Sequence, residues 1–152
     1  MNNKRVMINK FFESREFAIA GVSRNEHKTG SVFLKELKAK GLKVVGINPN
    51  MSEIDGEICF KSVSELPKSV DAIITTVKPE NTLSVVKSAL EKGITNIWMQ
   101  LGSQSDEAIK FATENGMNVI YKECLMMYCE PVTSIHKFHR GIMKLFGKYH
   151  KN

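Results

Sequence analysis

What this chain lacks narrows it first. Across its 152 residues no uninterrupted apolar stretch reaches the roughly 18–20 residues that a membrane-spanning helix needs, so no span is expected. The N-terminus, MNNKRVMINKFFESRE, has neither a long apolar core nor a small-residue cleavage site, which argues against a secretory signal. Cysteine is scarce. Cys59, Cys124 and Cys129 are an odd number without metal-ligand spacing, which suits a reducing cytoplasm. The dinucleotide fingerprint is missing as well. Gly21 and Gly30 stand nine positions apart with no G-x-G-x-x-G between them. The second predicted strand ends in Gly46-Ile47-Asn48-Pro49, without the Asp or Glu that holds a ribose 2′-hydroxyl. NAD is therefore disfavoured.

Charge is present but unevenly placed. Five of the six net positive charges come from residues 131–152, where Lys137, Arg140, Lys144, Lys148 and Lys151 meet no acid. The body of the chain is nearly neutral. Its length fits one domain with a proper core, read here as residues 1–152 with a core at about 15–130. No repeat, low-complexity tract or linker interrupts it.

The organising stretch is Phe17 to Ser31, FAIAGVSRNEHKTGS. Phe17-Ala18-Ile19-Ala20 is a short apolar run bounded by a glycine, which reads as a parallel strand buried on both faces. Gly21 permits a sharp turn and a close ligand approach. Thr29-Gly30-Ser31 then opens a helix with Val32, Phe33, Leu34 and Leu37 inward. Strand, glycine turn and helix N-terminus together favour an anion, because free N–H groups and the helix dipole both face it. Arg24, His27 and Lys28 add cations to the loop.

The remainder alternates. A leading helix is expected over 2–15, with Ile8, Phe11, Phe12 and Arg15 at helical spacing. Strands follow at Lys43 to Ile47, Val70 to Val77, Asn96 to Met99 and Asn118 to Tyr121, with a small edge element at Glu57 to Phe60. Ser64-Glu65-Leu66-Pro67 is at most one helical turn. Pro79 fits the first position of a helix running to Lys92, with Leu83, Val86 and Leu90 inward. Another helix spans about Ser105 to Asn115. A last basic amphipathic helix covers about 131–147, with Ile135, Phe138, Ile142, Leu145 and Phe146 on one stripe. Five strands alternating with helices imply an α/β, doubly wound, mostly parallel sheet with right-handed crossovers. Ligands of such sheets lie beyond the strands' carboxyl ends. Here those ends carry small residues, prolines, amides and cations, but one carboxylate, Glu123. That composition suits an anionic ligand better than proton transfer.

These ends occur as IAGVS (Ile19–Ser23), INPN (Ile47–Asn50), VKPE (Val77–Glu80), WMQLG (Trp98–Gly102) and KEC (Lys122–Cys124). In this order they resemble the CoA-binding domain family, small stand-alone Rossmann-like proteins of bacteria similar to the CoA-binding part of the succinyl-CoA ligase α subunit. The resemblance covers roughly residues 15–130. It implies a Rossmann-like fold with CoA or an acyl-CoA across the carboxyl edge and no catalysis of its own, the ligase chemistry of relatives belonging to additional domains. It implies, further, that Gly21, Val22 and Ser23 approach the pyrophosphate and that Lys28 and Gly30 also meet phosphate. Asn48-Pro49 and Val77-Lys78-Pro79 would flank the adenine and ribose, and Gln100, Leu101 and Gly102 the pantetheine arm. Arg24, Lys28 and Lys78 answer the ligand's phosphates in charge.

Other readings stay open. Cys124 ends the fifth strand, where its thiol would exchange with CoA or be simply buried; a low thiolate pKa would need a neighbouring cation, and Lys122 is the nearest. His136 and His139 share a helical face but lack companion ligands, so no metal is expected. Trp98 reads as core. The basic C-terminal helix is a candidate for nucleic acid, a membrane surface or an acidic partner, although such helices are more often docked with a solvated face, and nucleic acid is not expected. The two terminal helices are candidates for pairing within one chain or across a homodimer.

Overall fold

A computed structural model describes residues 2–129. The expected C-terminal helix at 131–147, its cations and the His136/His139 pair lie outside them, and with them half of the proposed pairing of terminal helices. The FAIA run forms β1 (Phe17–Ala20), whose four residues are all buried. Its side chains alternate between faces: Phe17 and Ile19 enter one apolar cluster, Ala18 and Ala20 the other. A strand covered on both sides can afford no polar residue, which explains the unbroken run.

Chain order gives α1 (Asn3–Phe12), β1, α2 (Thr29–Ala39), β2 (Val44–Ile47), β3 (Glu53–Ile54), β4 (Glu57–Phe60), a 3₁₀ turn (Val63–Glu65), β5 (Ala72–Thr75), α3 (Pro79–Glu91), β6 (Asn96–Met99), α4 (Asp106–Glu114), β7 (Asn118–Ile120) and a 3₁₀ turn (Leu125–Met127). Among the described residues the sheet has seven strands, in the order β3-β4-β2-β1-β5-β6-β7. The five expected strands form one contiguous parallel run, β2-β1-β5-β6-β7. The edge element Glu57–Phe60 also joins it in parallel, against β2, and the two-residue β3 adds an antiparallel end. Phe33, Leu34 and Leu37 of α2 pack on one face with Ile8 and Phe11 of α1, and Val86 and Ala89 of α3 on the other with Ala108 and Ala112 of α4. This is the doubly wound arrangement, and the strand order reverses between β1 and β5.

Two boundaries and one buried face differ from expectation for local reasons. The leading helix stops at Phe12, so Arg15 is not on it; Arg15 instead donates its backbone N–H and its Nε to the Asp71 carboxylate, at 2.9 and 3.1 Å. Strand β5 is shorter than Val70 to Val77. Asp71 is engaged with Arg15 at one end, and Thr76 Oγ1 donates to Ala20 O at the other. On α3 the deepest residues are Thr82, Val86 and Ala89, with Leu83 and Leu90 half-buried. Thr82 sinks because its hydroxyl donates to Ser103 O. Trp98 is fully buried, packed edge-on to Phe11 with its Nε1 donating to Glu123 O. No helix among the described residues is long and apolar enough to cross a membrane.

Candidate functional site

The carboxyl ends of β1, β2, β4 and β5 enclose a cleft of about 560 Å³. Parallel pairing sets Ala20 beside Ile47 and Thr75, so the chain leaves the sheet at one level on three neighbouring strands. The turn after β1 is closed by hydrogen bonds. Asn48 Nδ2 donates to Val22 O at 2.7 Å. Ser31 Oγ donates to Ser23 O at 2.6 Å and accepts from Ser23 N at 3.0 Å. Asn48 in turn accepts the Asn50 N–H at 2.8 Å. The cleft floor is thus held in place before any ligand arrives.

Gly21 has φ +113°, and a Cβ there would stand 2.5 Å from Thr76 Oγ1 and 2.9 Å from the Thr76 carbonyl carbon. A Cβ on Gly30 would stand 2.5 Å from Gly21 O. Both glycines therefore serve a close crossing of β1, α2 and β5. This adds a reason for glycine at position 21 that the sequence did not show: its Cβ would meet the neighbouring strand's exit.

Two helices begin at this cleft, and their caps are unusual. Lys28 is the N-cap of α2 and Lys78 that of α3, and neither side chain makes a capping hydrogen bond. The helices that start elsewhere are capped conventionally: Asn2 Oδ1 accepts from Lys4 N on α1, and Ser105 Oγ accepts from Ala108 N on α4. A lysine at the positive end of a helix dipole opposes it by about 0.3–1 kcal/mol, and Ser, Thr, Asp or Asn is the preferred cap. Two departures from that rule, both facing one cleft, concentrate positive potential there. Pro79 occupies the first turn of α3, where its missing N–H costs nothing.

Eight of the residues singled out from sequence line this cleft: Gly21, Val22, Ser23, Lys28, Asn48, Pro49, Val77 and Lys78. Arg24 lies next door, in a notch of about 240 Å³ that shares Ser23 and also holds Lys35, Glu26, Glu53 and Asp55. Gly30 is buried under the loop and Pro79 is exposed beside Lys78. Gln100, Leu101, Gly102 and Cys124 follow β6 and β7, on the far side of β5, and do not line it. Gln100 is buried: its Oε1 accepts from Leu125 N at 3.1 Å and its Nε2 faces Cys124 Sγ at 3.4 Å. Leu101 is exposed, Gly102 has φ +87° and Cys124 is buried. Glu123, the carboxylate that the sequence placed at the end of the fifth expected strand, is turned inward, taking Lys4 Nζ at 2.9 Å and the Tyr128 hydroxyl at 2.8 Å. It fastens α1 to the end of β7.

Sequence reasoning missed Lys61, Ser62 and Val63, which follow β4, and Asn81, Ser84, Val85 and Ser88 of α3. The signal for the second group was present: 81, 84, 85 and 88 share one helical face, small and free of charge, beside the face of buried Thr82, Val86 and Ala89. Lys28, Lys61 and Lys78 are the charged side chains of the lining, which includes no Asp, Glu, His or Cys. The cleft can hold an anion; its lining offers no side-chain general acid–base pair and no thiol. Among the described residues, two ionisable groups outside the cleft lining are shifted. Burial raises the pKa of the Cys59 thiol, opposed by a hydrogen bond from the Asn48 backbone. Desolvation lowers that of Lys38, opposed by Asp55. Among the described residues no group of three or more His, Cys, Asp or Glu is placed to hold a metal.

A conserved hypothetical protein of Pyrococcus furiosus has a similar structure, with a TM-score of 0.73 and 40% identity over 76% of this chain and 99% of that one. The uncharacterised protein YneT of Bacillus subtilis is 25% identical over 112 residues, 74% of this chain and 83% of YneT. The alpha subunit of the ADP-forming acetate–CoA ligase II of P. furiosus is 28% identical over 130 residues, which are 78% of this chain but 28% of that subunit. This chain thus spans little more than a quarter of the ligase subunit it matches. The model of the CoA binding domain matches residues 15–130, from just before β1 to just past the turn that follows β7, and the chain belongs to that family.

Proposed function

We propose that this protein binds CoA or an acyl-CoA, with the nucleotide end of the ligand in the cleft at the β1/β5 switch point. The observation that carries this reading is the pair of lysine-capped helix N-termini opening on one acid-free cleft. Strands β1 and β5 are direct neighbours, so these N-termini stand side by side, as a diphosphate requires. Asn48-Pro49 and the small polar face of α3 supply a slot for the adenosine. Membership of the family supports CoA over other anions.

Isothermal titration of the full chain with CoA tests this. Binding is expected to weaken as salt rises, because the attraction is between charges. Lys28→Ala and Lys78→Ala should each weaken it roughly tenfold, the effect of one charge-assisted hydrogen bond. Failure of CoA to bind at millimolar concentration would exclude the reading.

Thiol exchange at Cys124 makes a different prediction. The Cys124 residue is 8% exposed and does not line the cleft, so mild oxidation with CoA is expected to produce no mixed disulfide. An adduct of one CoA mass, lost in Cys124→Ser, would show instead that the pantetheine arm reaches the end of β7.

A further inference from the structure

We infer that Lys61 is the residue that distinguishes CoA from ligands lacking the 3′-phosphate; this rests on the CoA reading above. The basis is where the sheet order places the three lysines of the cleft. Lys28 follows β1 and Lys78 follows β5, at adjacent helix N-termini. Lys61 follows β4, which is separated from β1 by β2. Neighbouring strands lie about 4.8 Å apart, so the exit of β4 is roughly 10 Å along the edge from that of β1. A phosphate seated on the two helix N-termini is therefore not the natural partner of Lys61. The cleft presents two cationic poles, with Asn48 and Pro49 at the end of β2 between them.

CoA has a matching shape. Its 5′-diphosphate and its 3′-phosphate leave opposite sides of one ribose. With the diphosphate on α2 and α3 and the ribose beside Asn48-Pro49, the 3′-phosphate points along the edge toward β4. Lys61 is exposed at the mouth of the cleft, and its backbone is fixed: its N–H donates to Glu65 Oε2 at 2.9 Å. The following turn is tied to α3 by Lys92 Nζ, which donates to Ser64 O at 2.8 Å. The cation is thus presented from an anchored stem at the right end of the cleft, whose lining holds no carboxylate, while the adjacent Glu65 carboxylate is engaged by the Lys61 backbone.

The test measures affinities of the wild type and Lys61→Met for CoA and for dephospho-CoA. Methionine keeps the apolar stem and removes the charge, and the position is exposed, so folding should be unchanged. The wild type is expected to prefer CoA. Lys61→Met should lose about tenfold in affinity for CoA and leave dephospho-CoA unaffected. Lys28→Ala should weaken both ligands alike. Equal affinity of the wild type for the two ligands overturns the inference while the CoA reading stands. So does an equal loss for both, or no loss for either, in Lys61→Met. Failure of the wild type to bind either ligand overturns the CoA reading itself.

Discussion

Gly21→Ala should destabilise the protein by about 2–5 kcal/mol, through two contributions that act together. A left-handed backbone costs a residue with a Cβ about 1–2 kcal/mol, and Gly21 sits at φ +113°. Overpacking adds typically 1–3 kcal/mol, and here the new atom would stand 2.9 Å from the Thr76 carbonyl carbon and 3.0 Å from Val77 N. Backbone cannot swing aside as a flexible side chain would. Gly102→Ala separates the two contributions, because Gly102 has φ +87° but nothing within 4 Å of its Cβ position. Chemical denaturation followed by circular dichroism is the measurement. If Gly21→Ala costs no more than Gly102→Ala, the contact with Thr76 is not what requires glycine. Gly30→Ala sharpens the point by a change of sign. In an ordinary helix that substitution stabilises by about 1 kcal/mol, whereas at Gly30 the new Cβ would meet Gly21 O and should destabilise instead.

Phe11→Ala should cost about 3–5 kcal/mol, the usual penalty for emptying a large aromatic site in a core. Phe11 is fully buried, with its ring centroid 5.3 Å from that of Trp98 and 5.5 Å from that of Phe17. The substitution also tests how α1 is held. Besides Phe11 and Ile8, its anchors include Phe12 against the Trp98 ring, the Lys4–Glu123 pair and the bond from Asn118 Nδ2 to Met7 O at 3.0 Å. Trp98 is the chain's one tryptophan, so its emission reports this seam alone and should shift to longer wavelength as water enters. An unchanged midpoint and unchanged emission would mean that α1 is an accessory. That outcome matters because the helix precedes the residues matched by the family.

Much of this architecture was determined by the sequence alone. The apolar runs at Phe17 to Ala20 and Ile73-Ile74, the glycine after β1 and the proline opening α3 each act on contiguous residues, so turns, strands and helix starts can be read from short windows. The motifs at the strand ends carried the family in the same way, and they located the turns that build the cleft. The lysine caps were equally legible once Thr29 and Pro79 were placed at helix starts. Tertiary structure decided lateral position. The glycine-turn residues and Gln100-Leu101-Gly102 both follow strands, yet only the first group lines the cleft, because β6 lies beyond β5 in the sheet order. Lys61 joined the site because β4 pairs with β2, a contact that its own neighbours in sequence do not specify. Glu123 and Gln100 were drawn inward by partners at distant positions, Lys4 for the first and Leu125 for the second. Local periodicity is written in neighbouring residues, whereas strand order is set by non-local pairing and by which faces the helices cover, and that order selected which strand ends share one cleft.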